Sequence, residues 1–313
     1  MKNNKSFTLV ETLAVITIIG ILSGFLILRF QESNYEAELS RAKAFSLSVL
    51  MSLPVETVSE WKFDGPTTAG SSATLDDVKD TWGANDGTTV SGGILVKDGN
   101  DCIFGKCLQF NGSDYVDIAD ISDIELADTT FSFWGKINNF TKDHGFIYKG
   151  AHDTNQPLCI WFDLTVGGGD KGSGNTKTIS VLTFDGSIQH WIAAPTNSVN
   201  NINWNYFVII INPTDNKIKI YINGNLAEEN IKNWNGVNNT LTALRLGNPT
   251  PTSSQGLDGF LDDVRIFNAA LTVSQINQMY LAGLDGLYLS NQIPKEEYNQ
   301  RLSELKMNLT KYE

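Results

Sequence analysis

The sequence predicts an α+β chain: a long amino-terminal α-helix, an all-β two-sheet sandwich and a short carboxy-terminal helical segment. Three observations carry that reading. Phe7 to Leu28 is almost unbroken apolar sequence. Past Pro54, short runs rich in Val, Ile, Phe, Tyr and Trp alternate with clusters of Gly, Asn, Asp, Ser and Thr. Beyond Val273 the apolar spacing becomes helical again. With 313 residues, 41% of them hydrophobic, the chain has enough apolar surface for one large core or two smaller ones, which excludes global disorder.

The first element is too apolar for a surface helix. At about 1.5 Å per residue, roughly 20 such residues cross a hydrocarbon core of about 30 Å. Lys2 and Lys5 precede the stretch and no comparable cluster follows it closely, so the positive-inside rule keeps the first residues cytoplasmic and exports the acidic remainder. Glu11 is the anomaly, because a carboxylate inside a membrane segment costs several kcal/mol unless it is compensated. Cleavage before Phe7 would place a new amino terminus one turn from Glu11, or from a neighbour's copy of it. The helix continues beyond the membrane: Tyr35, Leu39, Ala42, Phe45, Val49 and Leu53 recur at three- and four-residue intervals, and Pro54 ends it. The expected rod has about 45 residues and is close to 70 Å long if straight, with Gly20 and Gly24 as its weak points.

These residues resemble a family. Lys5-Ser6-Phe7-Thr8-Leu9-Val10-Glu11, followed by the apolar helix, is similar to the leader of type IV prepilins and pseudopilins. The resemblance implies cleavage between Ser6 and Phe7 by a prepilin peptidase, methylation of the new amino terminus, and packing of the helices of other pilin subunits into a filament core through Glu11. Ser6 stands where the family usually has Gly. The implied location is the bacterial cytoplasmic membrane, single-pass with the C-terminal domain outside, and then a pilus or pseudopilus at the cell surface.

The middle of the chain reads as strands at Cys107–Phe110, Tyr115–Ile118, Phe131–Lys136, Leu158–Leu164, Thr178–Thr183, Tyr206–Ile211, Lys217–Ile222, Ala243–Leu246 and Phe260–Phe267. In Lys217–Ile222 the isoleucines share one face, and Asn223-Gly224 closes the run with a turn dipeptide. Several segments in order resemble the concanavalin A-like laminin G superfamily. They are Trp61-Lys62-Phe63-Asp64-Gly65, Asn85-Asp86-Gly87-Thr88, the run from Gly105 to Val116, Phe131-Ser132-Phe133-Trp134, Tyr221-Ile222-Asn223-Gly224 and the run from Gly259 to Leu271. The resemblance implies a jelly roll that binds or adheres rather than catalyses. It also implies a calcium ion at Asp64, Asn85, Asp86, Asp262 and Asp263, where hard oxygen ligands from distant parts of the chain would need a cation between them. Turn-forming acids satisfied by backbone amides are the alternative.

All seven Trp residues lie between Trp61 and Trp234. Trp82, Trp191 and Trp234 are least tied to strand patterns and are the candidates for stacking on sugar rings, against a core-filling role. Glycoside hydrolases on related jelly rolls need two carboxylates at a fixed separation. Asp123, Glu125 and Asp128 make only an irregular acidic loop, so no enzyme is expected. Cys102 and Cys107 are close enough for a local disulfide in an exported segment, and Cys159 reads as a buried free thiol. His144, His152 and His190 lack the paired spacing of a zinc site.

The carboxy-terminal segment predicts two helices, one with Ile276, Met279 and Tyr280 on a face, the second from Lys295 with a stripe of Tyr298, Leu302, Leu305 and Leu309. That stripe needs a partner, the sandwich or the upper rod. The division is 1–6 leader, 7–53 helix, 54–60 linker, 61–271 jelly roll and 272–313 helices. The chain carries 23 Lys and Arg against 35 Asp and Glu, a net charge of −12. Residues 54–270 hold 14 against 26, so the head alone accounts for an equal charge. Such a head repels phosphate backbones and is not expected to bind nucleic acid. The function that fits is a pilin-like filament subunit displaying a head that binds a glycan or a surface protein. The alternatives are a pseudopilin of a type II secretion or DNA-uptake machine, and a membrane-tethered lectin that does not polymerise.

Overall fold

The computed structural model describes residues 57–121, 124, 127–150, 157–165, 176–199, 202–231, 237–238, 240–249 and 254–309. Ser6, Phe7, Glu11 and the rest of the predicted leader and rod, together with Trp234, Asp123 and Glu125, lie outside them. Among the described residues no helix is long and apolar enough to cross a membrane.

The chain builds two antiparallel sheets face to face. The first contains β1 (Thr57–Trp61), β3 (Leu95–Asp98), β4 (Lys106–Asn111), β6 (Thr129–Ile137), β11 (Asn205–Asn212), β12 (Lys217–Ile222), β13 (Asn225–Ile231) and β15 (Asp258–Phe267). Its order is β13-β12-β11-β6-β15-β4-β3, with β1 pairing along β15. The second runs β10-β9-β8-β7-β14-β5-β2, from β2 (Gly87–Ser91), β5 (Tyr115–Ile118), β7 (His144–Lys149), β8 (Leu158–Thr165), β9 (Thr176–Phe184), β10 (Gln189–Ala193) and β14 (Leu244–Gly247). Tyr115–Ile118 and Lys217–Ile222 coincide with the sequence expectation. The strands that patterning missed, β1, β2, β3, β7, β10 and β13, are short or lack clean alternation.

The core is the seam between the sheets. Phe133 and Phe207 from the first sheet meet Phe146 from the second, with ring centroids 5.2 to 5.6 Å apart. Such tilted aromatic contacts add to the area they bury. The Asn223-Gly224 turn has positive φ at both residues, 52° and 78°, as the two-residue hairpin between β12 and β13 demands. The Asn223 side-chain oxygen also accepts from the Tyr206 amide, tying the turn to β11.

The outer face of the first sheet is apolar too, and the carboxy-terminal helices cover it. Helix α1 (Val273–Leu289) starts with a capping box: the Gln275 amide donates to Thr272 Oγ1 while the Thr272 amide donates to Gln275 Oε1. It lays Tyr280 parallel to Trp134, centroids 5.8 Å apart, with Tyr206 beside both. Gly283 is where the helix touches the indole, since a Cβ there would sit 2.2 Å from the Trp134 ring. Helix α2 (Lys295–Leu309) then returns against the sandwich, which settles the partner of its stripe: Leu305 is buried in the same cluster, and Tyr298 packs on Tyr288 and donates to Asp285. Arg301, which patterning overlooked, is buried with its guanidinium on the Trp204 carbonyl and Glu297.

The Cys102–Cys107 disulfide forms, with Cα atoms 5.4 Å apart, and closes a loop under the helices. Gln292 donates to the Cys102 carbonyl, Trp204 donates to the Asp101 carbonyl, and the Ile103 amide donates to Asp262. Burial, and then the charge of Asp263, push the Asp262 carboxyl well above its ordinary value.

Two outcomes follow from this packing. Gly283→Ala should destabilise the fold by about 1–3 kcal/mol through overpacking against Trp134, read as a lowered thermal midpoint. Because the folded pKa of Asp262 lies above its unfolded value of 3.8, the native state holds a proton between those values that the unfolded chain has lost. Its contribution is therefore most favourable at low pH and is lost as pH rises through the folded value. Asp262→Asn keeps an acceptor for Ile103 and should raise the thermal midpoint at pH 8, with the gain shrinking toward pH 4. A gain independent of pH would contradict the assignment.

Candidate ligand-binding face of the head

With the first sheet covered, the outer face of the second sheet carries no helix among the described residues. Alternation assigns it: Leu158, Ile160 and Phe162 enter the core, so Cys159, Trp161 and Asp163 stand on the other side. The strand registers then align Thr89, Asp117, Arg245, Tyr148, Cys159, Leu182 and Trp191 in one row across all seven strands. A row this rich in aromatic and polar groups is unlike the aliphatic face that packs a sandwich.

The centre of the row is buried. Tyr148, Cys159, Trp161 and Leu182 form a cluster separate from the main core, and the half-buried Trp191 meets Trp161 edge to face at 4.6 Å. Burial pushes the Tyr148 hydroxyl and the Cys159 thiol well above their ordinary values, and the two side chains hydrogen-bond to each other. Ser180, opposite Trp161, is wholly buried, and its hydroxyl has no hydrogen-bond partner among the described residues. At the other end Arg245 grips Asp117, with Nε donating at 2.6 Å and Nη2 at 2.9 Å, and lies 3.9 Å from the centre of the Tyr115 ring. Lys149, buried nearby, is engaged by Asp120 and the Thr242 carbonyl.

A groove of about 600 Å³ lies elsewhere, between α2 and the β12–β13 turn. Its amides and charges bond to one another: Asn223 donates to Asn205, Asn203 to Glu297, and Arg301 to Glu297. That arrangement reads as the docking seam of α2.

The three sequence candidates for sugar stacking separate. Trp191 is on the aromatic face, whereas Trp82 packs against the cluster beneath α1. Of the residues expected to share a calcium ion, Asp64, Asp262 and Asp263 lie near enough for their charges to act on one another. Asp64 accepts from the Lys106 amide, Asp262 from Ile103, and Asp263 from Arg265. Asn85 instead donates to Ser59, and Asp86 accepts from the Asp80 amide and Lys79. Among the described residues no group of three or more His, Cys, Asp or Glu side chains is arranged to hold a metal ion. Asp80, which sequence reading missed, is a turn acid satisfied by backbone: its carboxylate accepts from the amides of Glu60, Trp82, Gly83 and Asn85. Glu60 is likewise committed to structure. Burial opposes its charge, but Arg265, Thr81 and Lys62 together hold its carboxyl below the usual range.

The Tyr115–Asp117–Arg245 group also escaped the sequence reading. Alternation in Tyr115–Ile118 and around Arg245 marks each as outward, but their adjacency depends on β5 pairing with a strand more than a hundred residues away.

Cys159, buried and with its thiol pushed up, should resist maleimide in the native protein and react fully in denaturant; mass spectrometry reads the difference.

A family model of the concanavalin A-like lectin/glucanases superfamily, laminin G type, matches residues 110–277, more than half of the chain. A second, for the prokaryotic N-terminal methylation motif, matches residues 1–27. No curated protein matches significantly. Among solved structures, the receptor-binding part of botulinum neurotoxin type C, described as dependent on two ganglioside molecules for cell entry, is 17% identical with a TM-score of 0.54, covering 75% of this chain and 53% of that one. The binding domain of botulinum neurotoxin DC in complex with rat synaptotagmin II is 17% identical with a TM-score of 0.53, at 74% and 52% coverage. Domain 4 of AbnA, an extracellular arabinanase of Geobacillus stearothermophilus in complex with arabinotriose, is 21% identical with a TM-score of 0.49, covering 72% of this chain and 98% of that one. The chain spans about half the length of the toxin chains, and at these identities the likeness speaks to the fold. A two-sheet jelly roll with this strand order, matched over more than half its sequence and preceded by a prepilin-type amino terminus, makes the chain a member of the concanavalin A-like lectin/glucanases superfamily joined to a type IV prepilin methylation motif.

Proposed function

We propose that this chain is a pilin-like filament subunit whose jelly-roll head binds a glycan on the outer face of its second sheet. The observation that carries the reading is the union, in one chain, of a methylation motif at residues 1–27 with a sandwich whose other sheet is sealed by its own helices. In this reading prepilin peptidase cuts between Ser6 and Phe7, Glu11 meets the new amino terminus of a neighbouring subunit, and the apolar helix passes from the cytoplasmic membrane into the filament. The head is held outside the cell, and its −12 charge keeps neighbouring filaments apart.

Binding rather than catalysis suits the site. Asp117 is neutralised by Arg245 at 2.6 Å, and the half-buried rings of Tyr115 and Trp191 offer surface of the kind that packs on sugars.

Replacing Glu11 with Ala should lower filament yield by about tenfold or more, because the carboxylate that offsets its own burial cost by pairing with a subunit amino terminus is gone. Immunogold imaging of producing cells with an antibody to the head reads the result. Filaments undiminished in the variant would sink the assembly role, and a wild-type protein found only as dispersed membrane label would favour a tethered lectin.

A further inference from the structure

The paired charges at one end of the aromatic row have a consequence for what the head selects. Arg245 spends Nε and Nη2 on the two oxygens of Asp117, at 2.6 and 2.9 Å, and Nη1 on the Pro249 carbonyl at 3.0 Å. One face of the guanidinium is closed by the Tyr115 ring. Yet the pair is not sealed, since the Arg245 and Asp117 side chains are 22% and 17% exposed. The guanidinium still has N–H groups to offer, and each Asp117 oxygen keeps a lone pair. The open side therefore presents donors and acceptors next to each other with almost no net charge.

That combination matches neighbouring hydroxyls, each of which donates and accepts. It does not match a carboxylate or a sulfate, which only accepts and would meet Asp117 at close range. Among the described residues of this outer face, Arg245 is the cation, and beside the partly exposed Asp117 stands a second carboxylate, the buried Asp163. The nearby Lys149 is held by Asp120. The head's own charge of −12 opposes anions further.

We propose that the head selects uncharged glycans, gripping vicinal hydroxyls with the Asp117–Arg245 pair beside Tyr115, and discriminates against sialylated, uronate-containing and sulfated ones. The proposal rests on the reading of the head as glycan-binding and names the class of ligand.

The test uses the full chain in detergent micelles on an array of neutral, sialylated, uronate-containing and sulfated oligosaccharides, followed by calorimetry with lacto-N-neotetraose and its sialylated form. The neutral member of a pair should bind about tenfold tighter or better. Asp117→Asn preserves the side-chain shape but frees the charge of Arg245, so it should move the neutral-to-anionic ratio toward the anion by about tenfold. Arg245→Lys keeps the charge balance and loses the planar fork, so it should weaken neutral probes without changing the preference. Thermal midpoints and circular dichroism establish that each variant is folded, and if Asp117→Asn does not fold, the wild-type ratio and Arg245→Lys decide. Binding confined to anionic probes, or a ratio that a folded Asp117→Asn leaves unmoved, overturns the proposal while the glycan reading stands. Saturable binding of no probe by the wild type overturns the glycan reading itself.

Discussion

Trp134, Tyr206, Tyr221, Val208 and Phe260 stand on the outer side of the first sheet, and no sheet stable in water leaves a surface of that size uncovered. Helix α1 covers it, with Tyr280 parallel to the Trp134 indole and Gly283 letting the helix backbone approach. Much else depends on that closure. The disulfide loop lies under the helices and is tied to them by Gln292, to β15 by Asp262 and to β11 through Trp204. Arg301 then fastens α2 to the start of β11. The carboxy-terminal segment is thus the third layer of the head.

Sealing one sheet leaves the two outer faces chemically different. Under α1 the polar groups are structural: Glu60, Arg265 and Asp263 form a buried ion set joining β1 to β15, and each charge has an opposite one in contact. Buried ion sets of this kind cost desolvation and contribute alignment more than net stability. On the second sheet the polar groups sit among rings. The Ser180 hydroxyl has no hydrogen-bond partner among the described residues, and Asp117 and Arg245 remain partly open to water. A family fold by itself does not say which face works; the placement of the helices does.

The sequence alone went far where information is local. Period-two patterning located nine strands, Asn223-Gly224 announced its turn, the stripe of Tyr298, Leu302, Leu305 and Leu309 announced the last helix, and the pair Cys102 and Cys107 announced its disulfide. It also carried the methylation motif and the charge of the head, because those are read from adjacent residues. It stopped at long-range adjacency. Asp64, Asn85, Asp86, Asp262 and Asp263 were grouped by resemblance, and which backbone and side-chain partners each one has comes from the fold alone.

What the sequence by itself determined is a β-sandwich preceded by an apolar amino-terminal stretch, with helices at its end. Alternation, hydropathy and turn chemistry act within a few residues and are legible in order. What only the tertiary structure decided is which sheet those helices close, and that Asp117, Arg245 and Tyr115 meet on the sheet they leave uncovered. Strand pairing brings Asp117 to Arg245 across 128 positions, and a register shift of one residue would turn each to the opposite face.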